Sequence, residues 1–500
     1  MRTLILSAAA AGACTALATA QTPRVIFSEI PGDPTSLVPE GAGVPAGTRF
    51  DSFDRPYRSP DGTQWILSAS TDLDLSEDEV IILGTGTSGV TVVREGTEFG
   101  SPVPGVNVGF IDRNLSLLDD GRYAFATNTD GPSGEDELLV VWDGFGWVAI
   151  VQEGGPVPGI PNEVFGSTLR SVTLLQSGVQ VAYNAESTVG DLPSDQDDFL
   201  IIGESIVAQA GVTAPGNQAG GATAVWDNFD TDDFYTSPDG STWIAKGDLE
   251  GDTGGDDVVV LNGDVVLQEG APIAGASLAT PAGFFNDSFL LPGGSWIVRG
   301  DDADDRDWVV RDGAIIALRD EPIVTGASET FSDAPFSSCF FFVAGNAAGD
   351  VVVGGTTSNA DENADAVLVL NGDRVIARQG DAVDVDGDGV ADDFFIDIFN
   401  NDDAFLTEDG RLHFMAQLND AAGEDVGQAF LVLDTNAIAA CPSDIDGNGE
   451  VGFDDLLVVL DSFGTCALPC ETGCPGDVDG SCSVDFDDLL TVIAAFGPCP

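Results

Sequence analysis

The chain has 500 residues, of which 84 are acidic and 17 basic, giving a formal net charge of −67. An excess of that size excludes nucleic acid and anionic membrane surfaces as partners, because both recruit Lys and Arg, and it makes cations the natural company. Lys246 is the only lysine, and the acids are spread along the chain rather than gathered in blocks, the pattern of a solvated acidic surface.

Met1-Arg2-Thr3 is followed by an apolar stretch from Leu4 to Leu17 and by Ala18-Thr19-Ala20 before Gln21. That order of charged, apolar and small residues is the pattern of a cleavable export signal, so residues 1–20 are expected to be removed and the mature protein to be secreted, extracellular or at the cell surface. The rival reading, a buried N-terminal helix, would need a polar face that this stretch does not have. No other segment approaches the ~20 apolar residues of a membrane span.

Residues 21–437 align on a glycine followed three positions later by two apolar residues. The instances are Gly62 with Trp65-Ile66, Gly121 with Ala124-Phe125, Gly178 with Val181-Ala182, Gly240 with Trp243-Ile244, Gly293 with Trp296-Ile297, Gly349 with Val352-Val353 and Gly410 with His413-Phe414. Their spacings of 59, 57, 62, 53, 56 and 61 define seven repeats of about 57 residues, the size of one supersecondary unit. Each repeat carries a second apolar run introduced by acid, such as Asp257-Val-Val-Val-Leu261, and a third, such as Asp264-Val-Val-Leu267, joined by Asn-Gly or Asp-Gly turns. Short β-branched runs between such turns predict a hairpin meander. A Pro-Gly-type loop follows, as at Ala271-Pro-Ile-Ala-Gly275, and then an aromatic stretch, Phe284-Phe285 or Phe394-Phe395, read as the fourth strand of the unit.

Four-stranded sheets cannot hide both faces alone, and closing seven of them into a ring leaves only short protected edges. The expectation is an all-β domain, a seven-bladed β-propeller, with an open β-solenoid or a pair of smaller β domains as competitors. The seventh unit lacks its last strand after Leu433, whereas Arg24-Val-Ile-Phe27 has no unit of its own, so the N-terminal strand is expected to complete the final blade. The body resembles secreted, planctomycete-type tandem-repeat proteins whose repeat reads roughly NxxGxxAF, the nearest copies being Leu118-Asp-Asp-Gly121-Arg-Tyr-Ala124-Phe125 and Asn346-Ala-Ala-Gly349-Asp-Val-Val352-Val353. That resemblance implies a scaffold and supplies no activity.

Within the seventh unit, Asp384, Asp386, Asp388 and Asp392 stand in DxDxDGxxD order around Gly387 and Gly389, a spacing that gathers hard oxygen donors on one divalent cation, with Phe395 at the twelfth position where an acid would complete the set. The loop is similar to calcium loops on integrin-type propeller blades; the competing reading is a polar turn. Catalytic signals are sparse. His413, the single histidine, occupies a repeat position filled elsewhere by Trp, Ala or Val and is expected in the core, as are Trp65, Trp243 and Trp296; Cys339 reads as a buried thiol.

The C-terminal segment, 441–500, repeats itself with a 33-residue offset: Cys441-Pro-Ser-Asp444-Ile-Asp446-Gly-Asn448-Gly449-Glu450, then Asp454-Asp455-Leu-Leu, is matched by Cys474-Pro-Gly-Asp477-Val-Asp479-Gly-Ser481-Cys482-Ser483, then Asp487-Asp488-Leu-Leu. Oxygen side chains at positions 1, 3, 5 and 12 followed by an apolar helical run are what a seven-coordinate Ca2+ loop requires. Six cysteines allow fifteen pairings. The equal 25-residue spacing favours Cys441 with Cys466 and Cys474 with Cys499, leaving Cys470 with Cys482; a zinc cluster is the rival. The segment resembles the dockerin type I family, in its cysteine-framed version. That resemblance implies ligands at Asp444, Asp446, Asn448, the Glu450 carbonyl and Asp455 for one ion, and at Asp477, Asp479, Ser481, the Ser483 carbonyl, Asp485 and Asp488 for the other. The second loop has Cys482 where the sharp turn wants glycine. The resemblance also implies small helices that dock on a cohesin-like domain or another cell-envelope component through a face including Phe453, Asp454, Phe486 and Asp487.

These readings predict an exported, calcium-binding binding or scaffold protein tethered by a dockerin-like tail, with polysaccharide as a candidate ligand. The alternative is a polysaccharide-active hydrolase or lyase, since paired carboxylates suited to glycoside cleavage must occur among 84 acids. Convergent acids of raised proton affinity in one cleft would favour the enzyme; equivalent contacts repeated from blade to blade would favour the scaffold. A third reading makes the body a spacer that displays the tail.

Overall fold

A computed structural model describes residues 22–100, 104–230, 232–251, 253–273, 280–333, 338–436, 443, 445, 450–465, 476, 478 and 483–498. The chain divides into a unit of Thr22–Thr435 and a second that contains Asn436–Pro500. The expected export signal and the six C-terminal cysteines lie outside the described residues.

The larger unit is a seven-bladed β-propeller. In blade 4 the strands Phe234–Thr236, Trp243–Asp248, Asp257–Leu261 and Asp264–Gln268 pair antiparallel in that order. Six sheets share this order of four, and the first blade adds Tyr57–Arg58 beside Trp65–Thr71. The turn glycine has a local reason: Gly240 sits at φ +70, closing the turn whose N–H returns to the Ser237 carbonyl at 2.8 Å. Gly270, after the fourth strand, sits at φ +71, and a Cβ there would lie 2.8 Å from the Gly254 carbonyl oxygen.

Blade strands read as unbroken apolar runs because both faces of each sheet are covered. Val258, Val259 and Val260 are all buried. Alternate side chains point to opposite faces, so Val258 and Val260 enter the core shared with blade 3 while Val259 enters the one shared with blade 5. One such core occupies each of the seven junctions among the described residues.

The aromatic strand falls differently from the sequence expectation. Ala282–Leu290, which holds Phe284-Phe285, pairs with the strand that follows it, Trp296–Asp302, and therefore opens blade 5 rather than finishing blade 4. Phe394–Leu406 likewise opens blade 7. The N-terminal strand Arg24–Ser28 completes blade 7 by pairing with Asp425–Asp434, Arg24 opposite Val432 and Ser28 opposite Ala429. Blades 7 and 1 then share a core of Phe27, Phe405 and Phe430 with Phe50, Phe53 and Trp65.

In the second unit, helix α1 (Phe453–Asp461) and helix α2 (Phe486–Ala494) are related by the same 33-residue offset as the sequence. The two-residue strand before each helix pairs with the one after the other: Val451 lies opposite Gly497 and Gly464 opposite Val484. Val451, Val459, Val484 and Val492 form the small core. Among the described residues no helix is long and apolar enough to cross a membrane.

Candidate functional site

Residues from the first strand or its turn in every blade line a cavity of about 500 Å³. Arg55 of blade 1 spans it: the guanidinium stands 5.5 Å from the Tyr57 ring centroid and 5.1 Å from that of Phe289 in blade 5, and donates to the Tyr235 hydroxyl of blade 4 at 3.4 Å. Arg58, beside it, pairs with Glu408 of blade 7 at 2.7 Å and donates to the carbonyls of Ser59 and Pro60.

In four blades the acid that introduces the third strand has a partner in the next blade. Asp257 Oδ2 accepts the Phe285 N–H at 3.1 Å, Asp307 Oδ2 accepts the Cys339 N–H at 3.1 Å, and Glu79 Oε2 accepts the Ile111 N–H. Glu137 of blade 2 faces Arg170 of blade 3 at 3.9 Å. Burial raises the pKa of Glu79 and of Asp257 to about 7 and that of Asp307 to about 6, the backbone hydrogen bond opposing the rise in each. Asp198, at the same repeat position, rises to about 7 through burial and the nearby Glu186 and Asp197 carboxylates. These four acids stand in four different blades; burial raises Glu29, Glu95 and Asp233 to about 7 as well, and Glu95 lies near enough to Glu79 to raise it further. Lys246 is buried between blades 4 and 5, paired with Asp230 and 3.7 Å from Asp233.

The acidic loop of blade 7 is ordered around its own backbone. Asp384, buried, accepts the N–H groups of Gly387 at 2.7 Å and Gly389 at 3.0 Å; Asp386 accepts that of Asp388 and Asp388 that of Val390. One oxygen from each of Asp384, Asp386 and Asp388 lies within 4.8 Å of the other two, a spacing one hard cation spans. Asp392 is not in that group; its Oδ2 accepts the N–H groups of Val385 and Asp386 within the same loop. The loop is tied to the closing strand, the Asp384 N–H donating to the Pro23 carbonyl at 2.9 Å and the Asp384 carbonyl accepting from Val25 at 2.8 Å.

Of the residues singled out in the C-terminal segment, Asp444, Asp446, Asn448, Asp477, Asp479 and Ser481 lie outside the described residues. Glu450 is in the strand opposite Pro498. Asp455 and Asp488 are fully buried and equivalent: Asp455 accepts the Ile445 N–H at 2.6 Å and the Gly452 N–H at 2.7 Å, Asp488 those of Val478 and Asp485, both at 2.8 Å. Ser483 lies 3.4 Å from Asp485. Residues 436–500 contain no Lys, Arg or His, so two buried carboxylates stand in a segment with no basic side chain of its own, a donor chemistry that suits a hard cation. Phe453 and Phe486 are 69% and 65% exposed, and Leu457 with Leu490 and Leu460 with Ile493 continue the same exposed face.

His413 is buried with its ring stacked on Phe405, centroids 4.6 Å apart, and burial drives its pKa down to about 3, leaving it neutral. Cys339 is a buried free thiol.

A protein-family model described as "Family of unknown function (DUF7453)" matches residues 7–289, more than half of the chain. No curated protein matches it. Among solved structures, prolyl oligopeptidase B from Galerina marginata is 11% identical with a TM-score of 0.35, covering 77% of this chain and 49% of its own. The β-propeller domain of the trilobed protease from Pyrococcus furiosus is 7% identical at TM-score 0.36, covering 75% of this chain and 95% of its own. The WD40 β-propeller domain of Doa1 is 10% identical at TM-score 0.30, covering 82% and 97%. The chain spans about half the length of the prolyl oligopeptidase, and likenesses of this grade carry neither activity nor partner to it.

Proposed function

The chain belongs to DUF7453, a family that brings no activity with it, and on its own residues we propose that it is an exported, calcium-binding scaffold, acting at the cell surface or in the extracellular matrix and tethered through a dockerin-like tail. The observation that supports the scaffold reading is the placement of four of the seven acids that burial raises to about 6 or 7. Glu79, Asp198, Asp257 and Asp307 occupy one repeat position in four blades, and three of them hydrogen-bond the next blade's backbone. A glycoside-cleaving centre needs one protonated and one ionised carboxyl about 5–10 Å apart across a shared cleft; a position repeated from blade to blade suits assembly instead.

The calcium reading is supported by the Asp384, Asp386 and Asp388 cluster and by buried Asp455 and Asp488 in a tail without basic residues. When bound, the ion supplies a fixed positive charge to those carboxylates. Asp384 orders the 387–389 turn, while Asp455 and Asp488 hold the entrance to each helix. The tether reading is supported by the duplicated exposed face of Phe453, Leu457, Phe486 and Leu490, which suits a cohesin-like or other envelope partner.

Calorimetric titration of the purified chain with Ca2+, alongside release from cell envelopes by chelator, tests this reading. Saturable uptake and chelator-dependent release are expected. Absence of uptake, or sugar release from polysaccharide by the purified protein, would overturn it.

A further inference from the structure

A cavity of about 670 Å³ opens among blades 5, 6 and 7, within the size range of small-ligand sites. Blade 5 contributes Asp287 and Arg299; blade 6 contributes Phe341 together with Glu362 and Asp365 at the start of its third strand; blade 7 contributes Asp397, Ile398 and Phe399. The Phe341 and Phe399 rings stack at 5.6 Å and 7°, and Ile398 is 57% exposed, so the wall has an apolar side open to an occupant.

The polar side is rich in acceptors. Four carboxylates line this wall with a single guanidinium, that of Arg299, which pairs with Asp287 and donates to the Phe340 carbonyl at 2.6 Å. The Gln379 side-chain oxygen is buried in this wall with no hydrogen-bond partner among the described residues. A buried acceptor left unmet is costly, so the complementary occupant donates hydrogen bonds.

We propose that this cavity binds an organic cation, a primary ammonium or guanidinium group on an apolar stem. Its donors meet the Gln379 oxygen and the Asp397 and Glu362 carboxylates, and the stem covers Ile398 and the Phe341–Phe399 stack, where a cation gains further from the aromatic faces. The proposal rests on reading the propeller as a binding protein and names the chemistry of what it binds. A free amine and a Lys or Arg side chain of a partner protein share that chemistry.

The test is calorimetric titration of the full-length, calcium-loaded chain with agmatine and, separately, with a short arginine-containing peptide, at ~150 mM salt so that the diffuse acidic field is screened. Saturable agmatine binding is expected, weakened about tenfold by Asp397→Asn and unchanged by Asp74→Asn on an exposed blade 1 loop. Exposed Glu362→Gln provides a second variant should Asp397→Asn fail to give the native circular dichroism spectrum. A peptide binding more tightly than agmatine identifies a protein partner as the source, and equal affinity identifies a free amine; both support the site. No saturable binding, equal weakening by Asp397→Asn and Asp74→Asn, or saturation by a neutral sugar in place of the cation would overturn it. Sugar release from polysaccharide, which would defeat the scaffold reading, is measured separately and does not affect this outcome.

Discussion

The Asp257 carboxylate accepts the backbone N–H of Phe285 at 3.1 Å, joining the third strand of blade 4 to the first strand of blade 5. Both residues are buried, so loss of the acceptor strands a donor away from water. Asp257→Ala is expected to lower unfolding stability by about 1–3 kcal/mol. Asp257→Asn, which keeps a side-chain oxygen in place, is expected to lose less than half as much. Urea unfolding of the two variants decides the matter: equal losses would mean that the carboxylate acts through charge alone.

The same acids, with Glu29, Glu95 and Asp233, which burial also raises to about 7, dominate the pH dependence of the propeller, His413 alone among the groups above pulling the other way. Glu79, Asp198 and Asp257 keep their protons up to about pH 7 when folded and Asp307 up to about pH 6, whereas the unfolded chain releases them near pH 4. Between those values the folded state binds more protons, so stability falls as pH rises. Their contribution is fully present below about pH 4 and is lost through pH 6 to 7. The melting temperature of the propeller should therefore climb as pH is lowered from 8 to 5, and the trend should persist at ~1 M salt because these groups are sheltered from screening. A melting temperature that falls over that interval would contradict the assignment.

The repeat was legible in sequence because its causes are local. Gly240 marks a turn that needs positive φ, and Val258-Val-Val260 is apolar throughout because both sheet faces are covered. Closure by Arg24–Ser28 was legible as a strand without a unit beside a unit missing a strand. The phase of the blade was not: the aromatic stretch follows the third apolar run in sequence, and nothing in the residue types of Phe284-Phe285 reveals that their strand pairs forward, Phe285 opposite Gly300, rather than back. Acids at strand starts were visible, but the partner of Asp257 lies 28 residues on, and Arg55 reaches a ring in blade 5 that only ring closure brings near. The Asp384, Asp386 and Asp388 spacing was read directly, while the redirection of Asp392 to backbone donors depends on how the loop folds.

Calcium removal should loosen the second unit before the propeller. Asp455 and Asp488 are buried where no basic side chain is available from residues 436–500, so withdrawing a cation leaves carboxylate repulsion unopposed. Limited proteolysis with and without chelator is expected to cut first after Asn436, leaving a β-rich fragment, and Asp455→Ala should reproduce the effect with calcium present. Identical protection with and without chelator under reducing conditions would argue that the valine core alone holds this unit.

Closure of the ring should respond to the blade 7 loop. Phe27 on the closing strand packs 5.2 Å from Phe50 and 5.9 Å from Trp65 in blade 1, so one short strand holds both its own sheet and the seam. Removing that ring, as Phe27→Ala, should cost about 3–5 kcal/mol. The strand is also held from the side through the bonds between Asp384 and the backbone of Pro23 and Val25. A cation that stiffens the 384–392 loop therefore stiffens the strand edge as well. Hydrogen exchange at the Val25, Gly387 and Gly389 amides should accelerate together on adding chelator, and Asp386→Asn with Asp388→Asn should make all three insensitive to it. Acceleration in the loop while Val25 stays protected would show that the strand is held by the blade 7 sheet alone.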